Sequence, residues 1–229
     1  MKVQNPMLIA GVDDAGRGPI LGPLVIAGVL VDEKDVPRLK DLGVKDSKML
    51  SPQRRDQLAI EIRKLVLKWH VESLSPAEID KVVETGGKLR RLNRLEAQTM
   101  AKVIAVLQPN IAYVDASDVL ADRFKEHILE NLSFRVEVVS EHKADVKYPV
   151  VSAASIIAKV ERDRAIEKLR EKYAHIGDMG SGYASDPRTM EFLNGWFAKF
   201  RSYPEFVRKS WKPAKELKGN ADARQMKLR

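Results

Sequence analysis

Asp13 and Asp14 stand side by side where the apolar run 7–12 gives way to Ala15-Gly16-Arg17-Gly18-Pro19, and a second apolar run follows over 21–31. The order reads as strand, charged turn, strand. Successive side chains of a strand point to opposite faces, so both carboxylates reach one ion only where the strand ends and the chain twists. Gly16 and Gly18 permit such a turn and let the backbone approach a ligand closely. Like charges brought together out of water are costly unless a cation neutralises them. A lone turn of this composition is more often a solvated hairpin. Two further acids shift the balance: Asp115 closes the apolar run 111–115, and Asp145 follows the run 134–139 and precedes a long helical stretch. Singly, each would be a cap or turn residue. With Asp13 and Asp14 they point to an all-oxygen site for a divalent metal, Mg²⁺ or Mn²⁺.

The elements that would carry these acids follow from local signals. Ser51-Pro52 is an N-cap followed by proline at the first helical position, and predicts a helix to about residue 68. A short strand is expected at 70–74, then a brief helix opened by Ser75-Pro76 and ended by Gly86-Gly87. Helices are predicted over 88–107, 118–131 and 149–173, and Asp186-Pro187 opens another to about residue 200. A hairpin followed by strands alternating with helices makes the chain an α/β protein: a mixed sheet flanked by helices, with a small helical C-terminal part. In such sheets ligands gather at strand ends. The spacing Gly16-x-Gly18-x-x-x-Gly22 is not the dinucleotide fingerprint, because a strand rather than a helix follows.

Composition narrows the function. The 229 residues are 44% hydrophobic and 31% charged, enough for a sizeable core. No stretch reaches the roughly 18 apolar residues of a membrane helix. The short N-terminal apolar run lacks a cleavage pattern, so a cytoplasmic monomer with no membrane partner is expected. The absence of cysteine excludes thiol nucleophiles, disulfides and Cys-ligated zinc. The net charge of +8 is uneven: residues 208–229 hold eight Lys/Arg and two Asp/Glu, a net of +6, leaving +2 for the rest. Such a segment either contacts phosphates without reading sequence or simply solubilises a mobile end.

The blocks GVDDAGRGPILGPLV, VKDSKMLSPQRR, YVDASDV, EHKADVKYPVVSAASIIAKVERDR and GSGYASDPRT resemble, in order and over roughly residues 8–195, the signature blocks of ribonuclease HII, the type 2 ribonuclease H, in its archaeal form. The resemblance implies a ribonuclease H-like fold; with the helix start at Asp186-Pro187 and the decay of pattern after Pro213, the chain is expected to divide into a catalytic domain over 1–185, a helical subdomain at 186–213 and a mobile basic tail at 214–229. It implies an endonuclease that cuts the RNA strand of RNA–DNA hybrids and incises 5′ of single ribonucleotides in duplex DNA, leaving a 3′-hydroxyl and a 5′-phosphate. Asp13, Asp14, Asp115 and Asp145 would hold two divalent metal ions. Gly16, Arg17 and Gly18 would read the ribose 2′-hydroxyl, which separates RNA from DNA. Tyr183 would stack on the following deoxyribose, Lys48 and Lys159 would contact phosphates, and His142 would have a supporting role.

The sequence departs from the family pattern in two places. The second acid, normally glutamate, is Asp14, one methylene shorter. Mg²⁺ demands near-octahedral geometry, so an altered metal preference or a reduced rate is expected, and a non-catalytic hybrid-binding protein is the alternative. Some relatives carry a glutamine-x-x-aliphatic-x-x-aromatic-aromatic peptide that docks on the sliding clamp; Gln225-Met226-Lys227-Leu228 matches only its first half, and strong clamp binding is not expected. A related DNA nuclease or resolvase would lack the 2′-hydroxyl test, and a small-molecule phosphatase would not need the basic segment.

Overall fold

The computed structural model describes residues 6–44, 50–84 and 88–226, with side chains left out at 88–90 and 220–226. It contains two compact units that interleave along the chain. The first comprises 1–15, 25–73 and 89–161; the second comprises 16–24, 74–88 and 162–229.

The first unit is built on five strands. β1 (Leu8–Ala15) and β2 (Leu24–Asp32) form the antiparallel hairpin, with α1 (Val36–Asp41) and α2 (Pro52–Leu65) after it, then β3 (Lys68–Leu74). After α3 (Pro76–Glu84) come α4 (Lys88–Leu107), β4 (Ile111–Asp115), α5 (Ala121–Leu129), β5 (Glu137–Glu141), the short α6 (Ala144–Lys147) and α7 (Pro149–Tyr173). The strand order is β3-β2-β1-β4-β5, with β4 parallel to both β1 and β5. This is the mixed α/β sheet expected from the sequence.

Alternation along the strands explains the two cores. Ile9, Ala15, Val25, Ala27, Val29 and Val31 face α2 and the first half of α7. Ala10, Val12, Ile26, Leu30, Ala112 and Val114 face α4 and α5. β1 and β2 are therefore apolar at nearly every position, as strands covered on both faces must be. Gly11 is the contact point of β1 with α7: a Cβ there would overlap the backbone of Val150.

The second unit packs α8 (Pro187–Phe200), α9 (Lys212–Met226) and the end of α7 around Ile20, Leu21, Met179, Phe192, Leu193, Phe206, Val207 and Ala214. Asp186 caps α8, accepting from the Arg188 N–H at 3.1 Å, and Ser51 caps α2, accepting from the Arg54 N–H at 3.2 Å. The basic segment is helical as far as Met226.

β3 and β5 are shifted by a few residues from the expected 70–74 and 134–139, and two further differences from the sequence reading bear on the site. β1 continues through Asp13 and Asp14 to Ala15, paired with β2 as Asp13↔Ala27, Asp14↔Ile26 and Ala15↔Val25; the acids belong to a strand rather than to the turn after it. β2 starts at Leu24, not at residue 21. Leu21 is apolar for another reason: it bridges to Val207 and lies in the second unit's core.

Candidate active site

The strand register sets the acids. β1 and β4 pair in parallel up to Val12↔Val114, so the next position brings Asp13 beside Asp115. Both residues continue the alternation that faces α7. Asp13 is buried, and its carboxyl is pushed well above the usual range by burial first, then by the charges of Asp14 and Asp115. Its opposing stabilisers are a hydrogen bond with the Ser155 side chain and the Asp14 N–H, which donates to Asp13 Oδ1 at 2.7 Å. Asp14 accepts from Ser117 Oγ at 3.2 Å. Asp115 Oδ1 accepts from the Ala144 N–H at 2.7 Å, which ties β4 to the start of α6. Asp145 follows on that helix, buried, with Ser152 Oγ donating to its carbonyl.

Asp13, Asp14 and Asp115 thus interact electrostatically, while Asp145 is joined to them through Ala144. Among the described residues no three His, Asp or Glu side chains converge as a ready-made ligand cage. Glu141 lies opposite Asp115 in the β4–β5 register, but it is engaged by Lys147 and by Tyr148 Oη at 3.1 Å, which hold its carboxyl below the ordinary value. Its commitment there explains why strand position alone does not make it an equivalent acid.

α7 brings Lys159 into the same unit. Lys159 Nζ donates to Ser155 Oγ at 2.9 Å, one turn away on the helix, and Ser155 bonds to Asp13. His142 approaches the carbonyl of Val119 at 3.2 Å, a loop-holding contact. Lys48 lies outside the described residues.

In the second unit, Gly16 has φ +89°, a left-handed conformation that glycine adopts without penalty. Tyr183, in the loop of Gly180 and Gly182, has its ring about one side-chain atom from Gly18: a Cβ on Gly18 would lie 3.4 Å from it. The guanidinium of Arg162 lies 5.6 Å from the Tyr183 ring centroid and donates to the Ser181 carbonyl at 3.1 Å. Arg208, fully buried, donates to the carbonyls of Gly16 (2.5 Å), Arg17 (2.7 Å) and Gly22 (3.1 Å). Trp211 Nε1 donates to the Gly18 carbonyl at 3.2 Å.

The ribonuclease HII family model matches residues 10–214. Ribonuclease HII of Thermococcus onnurineus is 48% identical over 97% of this chain and 95% of its own. The crystal structure of ribonuclease H2 from Pyrococcus horikoshii OT3 superposes with a TM-score of 0.86 at 44% identity, covering 93% of this chain and 98% of that one. The ribonuclease HII in a PCNA complex from Archaeoglobus fulgidus superposes with a TM-score of 0.80 at 48% identity, over 91% and 96% of the two chains. The chain belongs to the ribonuclease HII family.

Membership in the ribonuclease HII family implies a metal-dependent endoribonuclease acting on RNA in RNA–DNA hybrids. The donor chemistry fits a divalent cation: a buried carboxyl under pressure from two neighbouring carboxylates is relieved by positive charge, and every donor is a hard oxygen. No helix among the described residues is long and apolar enough to cross a membrane. The sequence reading missed Ser117, Ser155, Arg208 and Trp211. Ser155 has a local signal, its i,i+4 spacing from Lys159; Arg208 and Trp211 have none, since they look like the start of a basic tail.

Proposed function

We propose that this ribonuclease incises duplex DNA on the 5′ side of embedded ribonucleotides and hydrolyses the RNA strand of hybrids, using two divalent ions held by Asp13, Asp14, Asp115 and Asp145. The observation that carries this reading is the strained charge state around Asp13, buried beside Asp14 and Asp115 on adjoining strands. Bound there, such ions supply an activated water and stabilise the attacking and leaving oxygens. The chain's own residues do the rest. Ser155 holds Asp13, the Ala144 N–H holds Asp115, and Ser117 holds Asp14, so three of the four acids are oriented by a hydrogen bond. Lys159 is a phosphate contact, its ammonium held by Ser155, and Lys48 is a second. Gly16, Arg17 and Gly18 test the 2′-hydroxyl, and Tyr183 stacks on the next sugar.

The enzyme works as a cytoplasmic monomer on RNA–DNA hybrids and ribonucleotide-containing duplexes. The relative's complex with PCNA makes the sliding clamp a partner to assay.

The test is an end-labelled duplex with one internal ribonucleotide, beside an all-DNA control, in Mg²⁺ or Mn²⁺. A single cut 5′ of the ribonucleotide, in that duplex alone, is expected. Binding without cleavage in either metal would overturn the reading. Asp14→Glu should raise the Mg²⁺-dependent rate; a fall would show that the site is adapted to the shorter acid.

A further inference from the structure

We infer that Arg208, assisted by Trp211, is a specificity-determining positioning residue that sets which backbone groups the Gly16-Arg17-Gly18 turn presents to the sugar. The inference rests on the reading that this turn tests a 2′-hydroxyl. Glycines confer freedom as well as access, and a turn that must recognise one hydroxyl has to be held still. Gly16 and Gly22 both have φ above +80°, and the carbonyls of the segment converge on one guanidinium. Arg208 Nη2 reaches Gly16 O at 2.5 Å and Gly22 O at 3.1 Å, Nη1 reaches Arg17 O at 2.7 Å, and Nε reaches Gly22 O at 3.2 Å. Trp211 takes Gly18 O at 3.2 Å, and its ring lies 5.1 Å from the Arg208 guanidinium.

No peptide bond among the described residues is cis, and in a trans peptide the C=O and the following N–H point in opposite directions. Drawing the carbonyls of Gly16 and Arg17 onto Arg208 therefore aims the N–H groups of Arg17 and Gly18 away from it. The turn shows a pair of donors, suited to the lone pairs of a sugar hydroxyl and useless to a deoxyribose. The clamp is itself anchored: Asp80 accepts from the N–H groups of Lys209 (2.8 Å) and Ser210 (3.0 Å) and from Ser210 Oγ (2.5 Å). A lysine at 208 would be a point charge without the planar fork, unable to hold three carbonyls in one plane.

The experiment compares wild type with Arg208→Lys and Trp211→Phe. It measures KM and kcat on a duplex with one ribonucleotide, and the inhibition constant of an all-DNA duplex of the same sequence. Wild type must bind the ribonucleotide duplex more tightly than its all-DNA counterpart; equal affinities would sink the 2′-hydroxyl reading itself. Given that preference, we expect the variants to raise KM by about tenfold, the worth of one hydrogen-bonded hydroxyl, with the all-DNA inhibition constant unchanged. A purely structural residue would instead reduce the active fraction, lowering kcat and leaving KM and the inhibition constant alone, and that result overturns the inference. Where Arg208→Lys fails to fold, Trp211→Phe decides: it removes the donor to Gly18 O and leaves a smaller aromatic ring in its place. A raised KM supports the inference, and an unchanged one overturns it.

Discussion

Asp13 concentrates the physics of this site. A carboxyl out of water, pressed by two others, is a poor choice for stability and a good one for attracting a cation. If Asp115 and Asp145 share that task, Asp115→Asn and Asp145→Asn should each cut cleavage by more than 100-fold while leaving duplex affinity within a few-fold, read by gel shift. Full activity in both would remove them from the site. Asp118, three residues beyond Asp115, has the opposite character. Burial alone would push its carboxyl up, but Arg123, Asn93 and the Leu120 N–H hold it well below the ordinary value. A depressed carboxyl stabilises the fold above its unfolded pKa of about 3.9 and loses that contribution as pH falls through the folded value. Asp118→Asn should therefore cost about 2 kcal/mol at pH 7. The deficit should shrink as the pH is lowered below about 4, measured by thermal melts at both ends. An equal deficit at both would show that the loss is one of packing and not of charge.

At the scale of elements, the site depends on the seating of α7 against β1. One carries Ser155 and Lys159, the other Asp13, and Gly11 lets them meet. Gly11→Ala inserts a methyl where the Val150 backbone lies, and overpacking of this kind costs about 1–3 kcal/mol. The effect on rate should be larger in proportion, because a shift of order 1 Å can cost about 100-fold. We expect kcat to fall at least tenfold while the folded fraction at 25 °C stays high. Unchanged kcat in a destabilised protein would show that α7 does not set the acids. Helix boundaries were legible here because caps are local: Ser51-Pro52 and Asp186-Pro187 start their helices where they stand in the sequence.

At the scale of the whole molecule the question is charge. The segment from 208 on holds most of the net +8, yet it is not a simple tail. Arg208 is in the interior of the second unit, Ala214 is buried, and its carbonyl accepts from Tyr203 Oη at 2.8 Å, a phenol whose burial pushes it up to about 12. Deleting from 214 would cut into that core. The sound test is to neutralise the exposed Lys212, Lys215 and Lys218 of α9 to Gln. Affinity for duplex should weaken, and the slope of log K against log salt should flatten by up to about 0.9 per lysine that meets a phosphate. No change would make α9 a bystander in binding.

What the sequence alone determined is what short-range chemistry can encode: the apolar runs that become strands, the acids at or near their ends, the capped helices, and the order of blocks that marks the family. The tertiary structure decided how far β1 extends, because only pairing with β2 shows that Asp13 and Asp14 lie inside the strand. It also decided what steadies the glycine turn. Arg208 and its carbonyl partners are separated by up to 192 residues, and a contact formed across that distance leaves no periodicity or spacing to read. A buried guanidinium and a solvated tail arginine look the same until the chain folds around one of them.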